Sequence, residues 1–100
     1  MIRITVKRNP DILSIEVKGH AQSADYGHDL VCAIVSGIIT GLANALNEMV
    51  HEENIVLEEG YAKIYISDPC DKSNTICETA LYMLKTAQEV NKEYIKIMEV

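Results

Sequence analysis

The sequence predicts an α+β domain in which two helices pack on a mainly antiparallel sheet, in the order β-β-α-β-β-α-β. Three observations predict it. Two short segments near the start alternate apolar and polar residues around a turn signal. Two longer segments repeat apolar residues at helical spacing, and each is followed by strand-like sequence. The length of 100 residues suits a single domain over 1–100, and such a chain buries about two-thirds of its unfolded surface.

Each element has a local reason. In residues 2–7, Ile2, Ile4 and Val6 face one way and Arg3, Thr5 and Lys7 the other. Asn9-Pro10-Asp11 marks a turn. In 12–18, Leu13, Ile15 and Val17 oppose Ser14, Glu16 and Lys18, which completes a hairpin. Gly19 ends that strand and leaves His20 at its exit. Residues 21–28 are small and polar, the composition of a loop. Asp29 or Asp25 caps the first helix, whose apolar positions are 31, 35, 38, 39, 42, 46 and 49. Gly37 and Gly41 cost helix stability and so predict close packing. A second hairpin spans 54–59 and 61–67 and turns at Glu58-Glu59-Gly60. Ser73 or Asp71 caps the second helix, with a buried stripe of Ile76, Cys77, Ala80, Leu81, Leu84 and Ala87. The last strand covers 94–100, with Ile95 and Ile97 on one face.

Composition narrows the function. A net charge of −6 with scattered Lys and Arg argues against a nucleic-acid partner and favours a basic protein or peptide. Three cysteines, at 32, 70 and 77, form no even framework, so the expected compartment is a reducing cytoplasm. The opening residues alternate as a strand and not as a signal peptide. Residues 30–46 are uncharged but fall short of the ~20 apolar residues of a membrane span. They contain Ser36, Thr40 and Asn44, and a buried helix is the expected reading. No paired Cys or His spacing supports a metal, no phosphate loop is present, and no cofactor is expected.

The chemistry concentrates in Gly19-His20-Ala21 and Asp29-Leu30-Val31-Cys32. Cys32 falls in the first helical turn, where free backbone N–H groups favour a thiolate and suit an oxyanion. His20 supplies an imidazole, a side chain able to act as a base near neutral pH. Asp29 caps the helix and is placed to orient His20. Ser36 lies one turn after Cys32, where it meets a substrate or bonds back to its own helix. His28 is a weaker rival base, and His51 reads as a solvated residue near the helix C-terminus. Cys77 reads as core and Cys70 as a loop thiol. A competing reading makes Cys32 an inert core residue of a non-enzymatic interaction module.

Gly19-His20-Ala21, the polar loop, and Gly27-His28-Asp29-Leu30-Val31-Cys32-Ala33-Ile34-Val35-Ser36 together resemble the bacterial ribosomal-processing cysteine proteases, the Prp family. The family pattern is GHA, a glycine-bearing loop, then G-x-D-[IL]-V-C-A-A-V-S. Ile34 departs from it at a helix position. The resemblance implies a homodimeric endopeptidase with Cys32 as nucleophile and His20 as base; the competing reading becomes a ribosome-assembly or interaction module with Cys32 structural. It implies supporting roles for Gly19, Gly27, Asp29 and Ser36, and a loop at 21–28 that moves on substrate binding. The implied substrate is the N-terminal extension of a large-subunit ribosomal protein, cut after a bulky apolar residue. Neither nucleic acid nor membrane is an implied partner.

Overall fold

The computed structural model describes residues 1–21 and 29–100. The elements are β1 (Ile2–Arg8), β2 (Ile12–Lys18), α1 (Leu30–Val50), β3 (Ile55–Glu58), β4 (Tyr61–Tyr65), α2 (Asp71–Glu89) and β5 (Ile95–Glu99). The order is the one the sequence predicts. The second hairpin and the last strand are slightly shorter than their apolar patterns.

The five strands form one sheet in the order β3-β4-β2-β1-β5. The β1–β2, β2–β4 and β3–β4 pairs are antiparallel. The β1–β5 pair is parallel, because the chain crosses over through α2 before returning to the sheet. Both helices cover one face. Ile4, Val6, Ile15, Ile64 and Ile95 of the sheet are fully buried with Leu46 of α1 and Leu84 of α2. The period of two thus puts alternate residues of β1 and β4 in the core and their neighbours on an open face; β2 departs from it, with Ser14 and Ile15 both buried.

The cap of α1 is Asp29, whose side chain accepts from the Cys32 N–H. Its buried stripe is Val31, Val35, Ile39, Leu42, Ala43 and Leu46. The helix is long and apolar enough to cross a membrane by length and composition, yet this stripe lies on the sheet and supplies core. Among the described residues the close packing expected at Gly37 and Gly41 does not occur, since a Cβ at either position would meet nothing within 4 Å. Both lie on the outer side of α1 beside the half-exposed Ile34. The helix ends at His51 in the left-handed conformation, φ 59°.

The cap of α2 corrects the sequence expectation. Cys70 is the N-cap; its sulfur accepts from the Ser73 N–H at 3.4 Å. Ser73 is the third helical residue, and its hydroxyl accepts from the Cys70 N–H at 3.1 Å. This is a reciprocal capping box with sulfur in place of oxygen. Asp71 is the first helical residue, where its charge suits the helix dipole.

Glu52 is 6% exposed, which its charged neighbours in sequence did not signal. Its carboxylate accepts from Ser67 N at 2.7 Å, Ser67 Oγ at 2.7 Å and Asn54 N at 3.1 Å. It thereby ties the start of the β3–β4 hairpin to its end.

Candidate active site

Cys32 is half-buried at the start of α1 and faces a cavity of about 880 Å³. The cavity lies between the first half of α1 and the β2-β4-β3 side of the sheet. His20, Asp29, Cys32 and Ser36 all line it. Its floor is apolar, formed by Val17, Val35, Ile39, Leu57 and Ala62. Leu57 and Ala62 are register partners on the helix-bearing face, which is why a hairpin distant in sequence supplies one wall.

The sulfur of Cys32 has two described partners. The Ala21 N–H donates to Sγ at 3.1 Å, and the thiol donates to Asp29 Oδ2 at 3.3 Å. The other Asp29 oxygen accepts from the Cys32 N–H at 3.0 Å. One carboxylate therefore caps the helix and receives the thiol hydrogen. These described contacts of Asp29 are with Cys32, not with the imidazole that the sequence assigned it to orient. The Ala33 N–H donates to the Asp29 carbonyl at 3.1 Å. Asp29 thus engages two first-turn N–H groups, and Ala21 supplies a backbone donor at the sulfur itself.

His20 is exposed and leans on the β3–β4 turn. A Cβ on Gly60 would stand 2.7 Å from His20 Nε2, closer than any real contact. Gly60 has φ +75°, and its carbonyl accepts from the Gly19 N–H at 2.9 Å. Gly19 has φ +95° and no room for a Cβ, which would lie 2.5 Å from the Met1 carbonyl. Glycine at 19 lets the chain leave β2 at the angle that presents His20, and glycine at 60 leaves the imidazole its place. What the structure requires of Gly19 is its backbone conformation and its missing Cβ.

Ser36 is exposed on the cavity side of α1. Thr79 and Thr86 bond back to carbonyls of α2, but no such bond to α1 is described for Ser36. The readings for Gly27, for His28 and for most of the 21–28 loop fall on residues 22–28, outside the described residues. Gly60, the Ala21 N–H and the Leu57 wall were missed in the sequence. Gly60 carried only a turn signal, and the other two contribute through position alone.

The remaining cysteines separate by environment. Cys77 is fully buried, and burial pushes its thiol up to about 12. Cys70 is exposed, and its hydrogen bonds with Ser73 lower its pKa. His51 is exposed, as expected, but its backbone also closes the helix.

The family model for the cysteine protease Prp matches residues 1–96. The chain belongs to the Prp family of cysteine proteases. The ribosomal processing cysteine protease Prp of Bacillus subtilis (strain 168) is 31% identical, with 97% of this chain and 96% of that protein covered. The Prp of Staphylococcus aureus (strain Mu50 / ATCC 700699) is also 31% identical, over 96% and 94% of the two chains. Two crystal structures of S. aureus Prp cover 100% of both chains. One, with a covalently linked product peptide, has a TM-score of 0.92 at 28% identity. The other, with a substrate peptide, has a TM-score of 0.86 at 27% identity. The Prp assignment makes this chain a cysteine protease and displaces the non-enzymatic reading of Cys32's domain.

Proposed function

We propose that this protease removes the N-terminal extension of a bacterial large-subunit ribosomal protein, with Cys32 as nucleophile and His20 as base. The observation that carries the reading is the shared cavity: Cys32 and His20 both line a cleft with an apolar floor. A floor of Val17, Val35, Ile39, Leu57 and Ala62 suits a bulky apolar residue next to the scissile bond. The named activity of the B. subtilis and S. aureus relatives supports the ribosomal substrate. A net charge of −6 favours encounter with a basic ribosomal protein.

In this mechanism the thiol proton passes from Cys32 to His20, and the thiolate attacks the scissile carbonyl. Asp29 holds that hydrogen in the free enzyme, so substrate binding must redirect the thiol toward the imidazole. The Ala21 N–H, already at the sulfur, is the donor at hand for the oxyanion. As the C–N bond breaks, imidazolium protonates the leaving amine. Water, deprotonated by His20, then attacks the thioester and releases the acid and free Cys32. No cofactor enters.

The reading extends to place and assembly. The substrate's synthesis in the cytoplasm puts the enzyme there, and neither a membrane nor direct nucleic acid contact is needed for cleavage. A homodimer is proposed through the outer face of α1. There Leu30 is 74% exposed and Ile34 46%, and Gly37 and Gly41 leave room for a second helix to approach closely.

The test is cleavage of a synthetic extension peptide followed by mass spectrometry. Cys32→Ala and His20→Ala are each expected to lower kcat/KM by at least 1,000-fold, on the scale seen for catalytic pairs, with unchanged far-UV circular dichroism. Cleavage retained by Cys32→Ala would exclude the mechanism. Sedimentation equilibrium of Ile34→Glu against the parent tests the dimer.

A further inference from the structure

The open face of the sheet collects charge that the sequence scatters. Register places Lys96 of β5 beside Arg3 of β1, and Arg3 beside Lys18 of β2. Tyr61 of β4 follows in the same row. Lys63 and Lys7 share this face, so it carries five of the chain's nine Lys and Arg residues. Its strand acids are Glu16 and Glu58. Glu16 is engaged by Lys18 at 3.6 Å and by the Tyr61 hydroxyl at 3.1 Å. Among the described residues, Arg3, Lys7, Lys63 and Lys96 make no ion pair.

Like charges directly opposite on adjacent strands destabilise a sheet. Lys96, Arg3 and Lys18 stand side by side at the strand spacing of about 4.8 Å. Solubility does not require such a row, because the chain already carries −6. Both helices lie on the other face, so nothing described covers it. Beside the cations stand Tyr61, partly exposed, and Tyr65, which is 49% exposed. Cations at regular spacing with exposed aromatic rings on a sheet suit a chain of phosphates whose bases stack.

We propose that this face binds single-stranded RNA, with Arg3, Lys18 and Lys96 on phosphates and Tyr65 stacking a base. A polyanion suits the face better than a second copy of the chain, because five cations against two strand acids would bring net positive charge onto net positive charge. The choice of RNA rests on the ribosomal reading above, since a ribosomal-protein substrate is found beside RNA. The face meets the cavity only at its rim, where Glu58 and Tyr61 line both; Arg3, Lys7, Lys63, Tyr65 and Lys96 lie outside the cavity lining, so binding and cleavage are separable through them.

The experiment is fluorescence anisotropy of a fluorescein-labelled 15-nucleotide single-stranded RNA with the full chain in 50 mM KCl. Saturable binding is expected, with a slope of log K against log salt of about −2 to −3.5 for three to five phosphates. Arg3→Glu/Lys96→Glu is expected to weaken binding at least tenfold. Lys72→Glu/Lys92→Glu, the same charge change off this face, should stay within twofold. Tyr65→Ala should weaken it about fivefold or more with the slope unchanged. Circular dichroism checks each fold, and Lys7→Glu/Lys63→Glu replaces the first pair should it misfold. Peptide cleavage should persist in all these variants, so a failed protease reading and a failed RNA reading are told apart. The proposal is overturned by any of four results: no saturable binding, equal loss in the two charge-reversal pairs, tighter binding to DNA of the same sequence, or tighter binding to phosphatidylserine vesicles or polyglutamate. Dimer dissociation caused by Arg3→Glu/Lys96→Glu would assign the face to a second copy and overturn it equally.

Discussion

Gly60 matters by what it lacks. Its missing Cβ leaves the space that His20 Nε2 occupies, 2.7 Å from where that carbon would be. Gly60→Ala should therefore displace the imidazole and lower kcat at least tenfold with little change in KM. Backbone strain at φ +75° is a separate effect. Gly60→Asn separates the two, because asparagine tolerates that conformation but carries the same Cβ. Equal loss in the two variants assigns the effect to the imidazole, and near-normal activity of the asparagine variant would assign it to strain. On a His20→Ala background, Gly60→Asn should cost little stability, since the colliding group is gone. Cys32, His20 and Asp29 were legible in the sequence as candidates because a thiol, an imidazole and a helix-capping carboxylate are recognisable by type. Gly60 was not, because it comes to His20 through the sheet, across forty residues of chain.

At the scale of elements, periodicity predicted both helices and both hairpins, and the termini are where it failed. The N-cap of α2 is Cys70, a residue type outside the usual capping set. The serine expected there works one turn later in the box. Cys70→Ala should destabilise the protein by about 1 kcal/mol and Cys70→Ser should not, as read from urea denaturation midpoints. The same geometry predicts thiol selectivity. Ser73 favours the Cys70 thiolate, whereas burial holds Cys77 up to about 12. Iodoacetamide at pH 8 should thus label Cys70 and spare Cys77 in the folded protein, with peptide mass mapping as the readout. Reactivity measurements on Cys32 therefore belong on a Cys70→Ser background. At the other helix end, His51 holds φ 59°. His51→Gly should raise stability by about 1 kcal/mol by removing the Cβ penalty.

For the whole molecule, Glu52 is the buried charge that closes the hairpin region. Burial alone would raise its pKa, but hydrogen bonds from Ser67 and from the Asn54 and Glu53 backbone outweigh it and hold the carboxyl below its ordinary value of 4.5. Glu99 is lowered too, chiefly by Lys85 and then by Arg8. A depressed carboxylate contributes stability that is full above the unfolded pKa and is lost as pH falls through the folded pKa. Stability should therefore hold from neutral pH down to about 5 and fall below about 4.5. Glu52→Gln should flatten that dependence while lowering stability at pH 7 by about 2 kcal/mol, measured by urea unfolding across pH. An unchanged pH dependence in Glu52→Gln would remove Glu52 from this account.

The sequence by itself determined the class of fold, the element order, the candidate pair and the family, because periods of two and 3.6 and the spacing of a short motif are local properties. Only the tertiary structure decided which distant residues share a wall. It set the hairpin turn under His20 and sent the Asp29 carboxylate to Cys32. It buried Glu52 among the Ser67 and Asn54 donors. It also gathered scattered cations into one row across β5, β1 and β2. The physical reason is common to all four: strand register and sheet order join residues far apart in the chain, and no local pattern encodes either.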